Sequence, residues 1–322
     1  MANPAAGARR GGKFVSALVT LVALLALAGC AGPHLAPESD LPRVVELDRT
    51  PFFPQTVHHC GPAALATILS DAGMAATPGR LAPQVYLPAR QGSLPLDMLG
   101  GARRAGAVAA TITPDLDTLL TTVRDGRPVV VLQNLGLSWY PVWHYAVVIG
   151  HDLDRSEILL RSGTTRREAL SLRTFDLTWA RSGRWAMVVF RPGTPPPAGV
   201  PRDAYAEATL ALERLRLTSE ASDAYAAGSA RWPDDLQFAI GAGNTAYALG
   251  DLAAAESALR TAAGRHPTSD AALNNLAHVL MERGDLDEAE AAALRAIAVD
   301  GPQKATANAT LQDIRNRRAT SR

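Results

Sequence analysis

The chain has 322 residues, and its 32 Lys and Arg against 31 Asp and Glu leave a net charge of +1. With no basic block beyond the first residues, that balance argues against a nucleic-acid binder or a polybasic lipid contact. Only two cysteines occur, Cys30 and Cys60, which rules out a scaffold built on disulfides, and the length allows one large or two ordinary domains.

Arg9, Arg10 and Lys13 precede an apolar stretch over residues 14–27, and Leu27-Ala28-Gly29-Cys30 closes it as a small-residue cleavage site. That ending resembles a bacterial lipobox. The resemblance implies that Cys30 is lipidated and becomes the mature N-terminus, so that the protein is tethered to a membrane through a lipid anchor. The apolar stretch is shorter than the ~20 residues a spanning helix needs; an uncleaved anchor helix, or an ordinary signal peptide with a chance cysteine, is the competing reading. Ala31 offers no Asp after Cys30 to hold the protein at an inner membrane, so the expected place is the outer membrane of a Gram-negative cell, facing the periplasm. Residues 1–30 are then a signal peptide, 31–47 a linker and 48–191 a first folded unit. Residues 192–201 form a Pro/Gly linker, and 202–322 a helical unit.

Residues 55–65 read Gln-Thr-Val-His-His-Cys-Gly-Pro-Ala-Ala-Leu. Pro62 suits a first helical turn, and Ala64, Leu65, Ile68 and Leu69 recur at helical spacing, so Cys60 falls at a helix N-terminus. Unpaired N–H groups and the positive end of the helix dipole there favour thiolate and make the sulfur a better nucleophile. Gln55 brings an amide donor suited to an oxyanion. A buried structural cysteine opening a core helix is the plainer alternative. His58, His59 and Cys60 as metal ligands are disfavoured, because adjacent side chains in an extended loop diverge and no second ligand pair at zinc spacing follows. Neither a metal nor a cofactor is expected. After Gln91-Gly92-Ser93 a helix is expected, with Ser93 a possible cap.

Residues 129–132 and 143–150 read as buried strands, with His144 opening the second and His151 closing it. Seven residues at ~3.3 Å separate the two imidazoles, so at most one faces Cys60. Trp139 and Trp143 flank Pro141 just before His144, either as an apolar wall over the imidazole or as core. Cys-Gly-Pro-Ala-Ala-Leu on a helix, followed by a strand beginning Trp-His-Tyr-Ala-Val-Val, resembles the papain-like peptidases that process double-glycine leaders of bacteriocins. The resemblance covers roughly residues 48–190. It implies Cys60 as nucleophile, His144 as general base and acid, and Gln55 as oxyanion donor. The family places an Asp or Asn beside the histidine. A hairpin turning near Leu153 and Asp154 brings Arg161, Ser162 and Gly163 back there instead, while Asp152 and Asp154 read as turn formers. Either Ser162, a backbone carbonyl or a distant Asp orients His144, or the cleft binds without cutting.

Beyond residue 201 the chain is rich in Ala, Leu and Arg. Gly250-Asp251-Leu252 aligns with Gly284-Asp285-Leu286 at an offset of 34, as Pro233 does with Pro267, which is the period of tetratricopeptide repeats. A degenerate first copy fits residues 202–235, and the chain from Lys304 caps the stack. The repeats imply a surface that holds a protein partner, with a merely structural appendage as the alternative. The expected architecture is an α+β papain-like cysteine peptidase domain followed by an all-α tetratricopeptide-repeat solenoid. The expected activity is hydrolysis of peptide bonds in a peptide or protein substrate. The competing class is a binding or scaffold protein of the cell envelope.

Overall fold

The computed structural model describes residues 40–55 and 59–320; Cys30, the expected signal peptide, His34 and His58 lie outside them. No helix among the described residues is long and apolar enough to cross a membrane.

An antiparallel sheet organises the first unit. Its strands are β1 (Val44–Glu46), β2 (Val108–Thr111), β3 (Val129–Asn134), β4 (Trp143–Asp152), β5 (Glu157–Ser162), β6 (Thr165–Ser171) and β7 (Ala186–Phe190). The order is β2-β7-β3-β4-β5-β6, with β1 paired to the far end of β4. Side chains alternate between two faces, as the two-residue period of a strand requires. Val130, Leu132, Tyr145, Val147, Ile149 and Leu159 face one apolar cluster, which is built with helices α1 (Cys60–Asp71), α2 (Pro78–Val85) and α3 (Pro95–Arg104). Val129, Val131, Ala146, Val148, Ile158 and Leu160 face the other, against α4 (Leu116–Arg124) and α5 (Leu172–Ala180). Helix α1 is buried over Gly61–Leu69, as expected of a helix apolar on every side and enclosed by neighbours. It stops where Gly73 takes a positive φ of 75°, a helix-ending conformation that favours glycine.

The helical unit comprises α6 (Arg202–Arg214), α7 (Thr218–Arg231), α8 (Leu236–Ala248), α9 (Leu252–Arg265), α10 (Asp270–Arg283), α11 (Leu286–Ala298) and α12 (Lys304–Thr320). These are three helix pairs and a final helix. Gly250 and Gly284, the glycines that revealed the period, sit in the turns of the second and third pairs with φ of 80° and 90°.

Two expected linkers are corrected. Residues 41–47 belong to the fold: Leu41 is buried in the core, β1 pairs with β4, and the Pro42 carbonyl meets His151 Nε2 at 2.9 Å. A three-residue strand is too short for its alternation to be read. Residues 192–201 form neither helix nor strand, yet they do not space two free bodies. Pro196, Pro197 and Val200 are buried, and the Thr113 N–H donates to the Gly199 carbonyl at 3.0 Å. Beyond them Phe190 of β7 stacks on Tyr205 of α6 with ring centroids 6.2 Å apart, and Arg103 pairs with Glu207 at 3.0 Å. The apolar cluster under α4 and α5 continues without a break into Tyr205, Leu212, Ala221, Tyr225 and Phe238. The first repeat is therefore part of the same core as the sheet.

Candidate active site

Cys60 is the first residue of α1, preceded by His59 with no side-chain cap and followed by a first turn without acidic residues. The sulfur therefore lies at the positive end of the helix dipole with no acidic side chain of that turn beside it. Gly61 follows because Ser93 occupies the space a side chain would need: a Cβ there would lie 2.3 Å from Ser93 Oγ. Ser93 does not cap α3, contrary to expectation. Its backbone carbonyl accepts from the Tyr145 hydroxyl at 3.2 Å, and its own buried Oγ has no hydrogen-bond partner among the described residues. Asp97 supplies the cap instead, accepting from the Leu94 N–H at 3.4 Å.

Gln55, Cys60 and His144 line one cavity of about 1100 Å³, together with Ser93, Tyr145 and Gly163. His144 opens β4, and its Nε2 lies 3.0 Å from Ser162 Oγ. In the tautomer that leaves Nδ1 free to take a proton, Nε2–H donates to that hydroxyl. Burial pushes the imidazole below its ordinary value of 6.5, and the carboxylate of Glu168 opposes this only in part; the neutral form, which a general base needs, is therefore favoured. The tip of the β5–β6 hairpin serves two partners. Ser162 reaches His144, and Gly163, turning with φ of 57°, presents its carbonyl to the Gln55 N–H at 3.0 Å. The Gln55 side chain donates to the Tyr145 carbonyl at 3.5 Å, so the amide is tethered next to the imidazole with a second N–H to spare.

Arg161 and Ser162, one residue apart, part company at the strand. Arg161 is buried on the other side and binds backbone carbonyls: Arg166 at 2.6 Å, Asp48 at 3.1 Å and Thr50 at 3.0 Å. His151 is fully buried against Pro42, far along β4 from the cavity. His59 packs its ring edge-on to Tyr86 at 4.8 Å. Asp152 is a turn former, accepting from the N–H groups of Asp154 and Arg155. Trp139 and Trp143 are exposed and not core, and only Trp143 lines the cavity. The sequence reading missed Tyr145, which holds Ser93, and Asn134. Asn134 Oδ1 accepts from the Gly136 and Val142 N–H groups at 3.0 and 2.9 Å and so shapes the loop before His144. An Asn two residues ahead of a Gly is a turn signal that pointed there.

Ser162 stands where a carboxylate would hold the imidazole more firmly. Ser162→Ala is expected to lower kcat/KM about tenfold by freeing the ring. Ser162→Asp is expected to move the acid limb of the pH–rate profile upward, because a carboxylate at Nε2 stabilises imidazolium. Rates measured on one peptide from pH 4 to 9 check both.

Residues 47–187 match the Peptidase_C39 like family, and residues 205–270 and 240–305 match the tetratricopeptide repeat. The chain thus carries a Peptidase_C39-like α+β domain followed by tetratricopeptide repeats. Among solved structures, a C39-like peptidase from Bacillus anthracis is 17% identical, covering 46% of this chain and 98% of its own at a TM-score of 0.40. The first tetratricopeptide domain of Spaghetti, bound to an HSP90 peptide, is 19% identical, covering 37% and 93% at 0.35. The tetratricopeptide domain of Sgt2 from Aspergillus fumigatus is 18% identical, covering 41% and 85% at 0.36. No curated protein matches the chain in sequence.

Proposed function

We propose that this chain, a Peptidase_C39-like domain carried on tetratricopeptide repeats, hydrolyses peptide bonds by thiol catalysis. The observation that carries the reading is the convergence of Gln55, Cys60 and His144 on one cavity, with Ser162 fixing the far side of the imidazole. Neutral His144 takes the thiol proton at Nδ1, and the thiolate adds to the peptide carbonyl. The Gln55 amide and an N–H at the start of α1 hold the oxyanion. Imidazolium then protonates the leaving amine, and water, deprotonated by His144, releases the acyl group from Cys60. The repeats dock a protein partner or the substrate, and lipidation at Cys30 tethers the protein to the outer membrane, facing the periplasm.

Alkylation of Cys60 by iodoacetamide across pH tests the pair. Reactivity that persists into mildly acidic solution, together with peptide hydrolysis abolished in Cys60→Ser, is expected. Reactivity confined to alkaline solution, with no hydrolysis of any peptide tried, refutes it. A second reading follows from Ser162. No carboxylate hydrogen-bonds to His144 among the described residues, which favours a cleft that binds peptides without cutting; tight binding by wild type with no turnover would select it.

A further inference from the structure

We infer that the cleft selects bulky apolar side chains beside the scissile bond, and not a pair of glycines. The inference rests on the thiol-hydrolase reading for its chemistry but on separate observations for its specificity. A site that demands glycine needs walls close enough to shut out a Cβ. Here the space beside Cys60 and His144 belongs to a cavity of about 1100 Å³ walled by Leu94, Leu132, Tyr140, Val142 and Trp143. That volume suits several residues with large side chains.

The wall is exposed and its loop is held by its own hydrogen bonds. Tyr140, Val142 and Trp143 expose 68%, 49% and 53% of their surface, although they are large and apolar. Such a patch is stabilised when an apolar partner covers it. It does not collapse onto itself because its loop is tied from within. The Leu135 N–H donates to the Val142 carbonyl at 2.8 Å, and Leu137 and Tyr140 exchange backbone bonds at 3.0 and 3.1 Å. Asn134 holds Gly136 and Val142 as described. The Arg181 guanidinium donates to the carbonyls of Asn134 and Gly136 at 3.2 and 2.8 Å. A Cβ on Gly136 would lie 2.4 Å from the Tyr140 carbonyl, so the loop closes this tightly only with glycine there. A surface already in its binding shape loses little entropy on meeting a peptide.

Charge narrows the class further. Arg90 lines the cavity, its guanidinium without a hydrogen bond or ion pair to any described residue, and no described residue lining the cavity is acidic. A substrate lysine or arginine would find repulsion and no counter-charge. The occupant is therefore an extended peptide with neutral, bulky apolar residues at the cut, continuous with the groups that would cut it.

The test uses the full chain and internally quenched peptides of one length that differ only at two central residues: Leu-Phe, Gly-Gly or Lys-Lys. A kcat/KM for Leu-Phe at least ~10-fold above both others is expected. Leu94→Ser and Val142→Ser should compress that ratio several-fold, while Trp139→Ser, outside the cavity, should leave it unchanged. Equal or faster cleavage of Gly-Gly or Lys-Lys overturns the inference. If no peptide is cut, the hydrolase reading fails, and specificity is read by fluorescence anisotropy of the same three peptides, end-labelled, on the Cys60→Ala protein. Tighter binding of Leu-Phe there upholds the apolar site, and indifference overturns it. Self-association lost in Val142→Ser, or partition onto phosphatidylglycerol vesicles with no peptide preference, would give the wall to a second copy or to a lipid surface and equally overturn it.

Discussion

His144→Ala is expected to lower peptide hydrolysis by about 10³-fold or more, the scale of losing a general base that serves both half-reactions. No other imidazole among the described residues lines the cavity. His151 is buried against the Pro42 carbonyl, and His59 lies against Tyr86. The pH dependence separates this role from a structural one. Burial lowers the pKa of folded His144 below its ordinary 6.5, so the acid limb of wild-type kcat/KM belongs below that value and is absent from the residual rate of the variant. The same shift acts on stability. The unfolded chain binds the proton first on acidification, so the contribution is fully present above about pH 6.5 and is lost as pH falls toward the folded value. His151, lowered chiefly by burial despite the Pro42 carbonyl and Asp152, acts in the same direction. Urea unfolding at pH 7.5 and at pH 5 should therefore show a smaller acid loss in His144→Gln than in wild type, and kinetics on one peptide across the range should show the limb. A variant that keeps wild-type turnover refutes the base outright.

Much of the fold was legible because its signals are local. Short continuous apolar runs exposed β3 and β4, Cys-Gly-Pro at helical spacing exposed α1, and glycines 34 residues apart exposed the repeats. What stayed hidden depends on contacts distant in sequence. The Pro/Gly segment reads as a spacer until Phe190 is seen stacked on Tyr205 across it. Ser93 reads as a cap until Tyr145, 52 residues on, takes its carbonyl. At the candidate site, types and order named Gln55, Cys60 and His144. Hairpin counting brought Arg161, Ser162 and Gly163 to the right place together but left open which of them faces the imidazole. Pleating decides that: neighbours on a strand face opposite sides, so Ser162 reaches the ring and Arg161 is sent into the interior.

Arg161→Met is accordingly expected to act on the site through the fold, with a stability loss of about 2–4 kcal/mol. The buried guanidinium spends its donors on carbonyls of the segment leading to Gln55, Thr50 twice and Asp48 once, and on Arg166 across the hairpin. Methionine fills much of the space but donates nothing, so the Thr50 carbonyl, on a residue buried as deeply as the core, loses its partner. Burial already pulls the Arg161 pKa down, and Arg166 beside it pulls the same way. The cation is thus held against desolvation by carbonyl dipoles and not by a paired carboxylate. Lysine, with one compact ammonium, cannot span those carbonyls as the planar fork does and should recover less than half of the loss. The segment freed is the one that tethers Gln55 to Gly163, so hydrolysis should fall further than iodoacetamide reactivity at Cys60. Alkylation needs no oxyanion donor, whereas peptide cleavage does. Thermal unfolding of Arg161→Met and Arg161→Lys, with both rates measured well below each variant's Tm, checks the assignment. Equal losses in the two rates would place Arg161 at the thiol–imidazole pair and not behind Gln55.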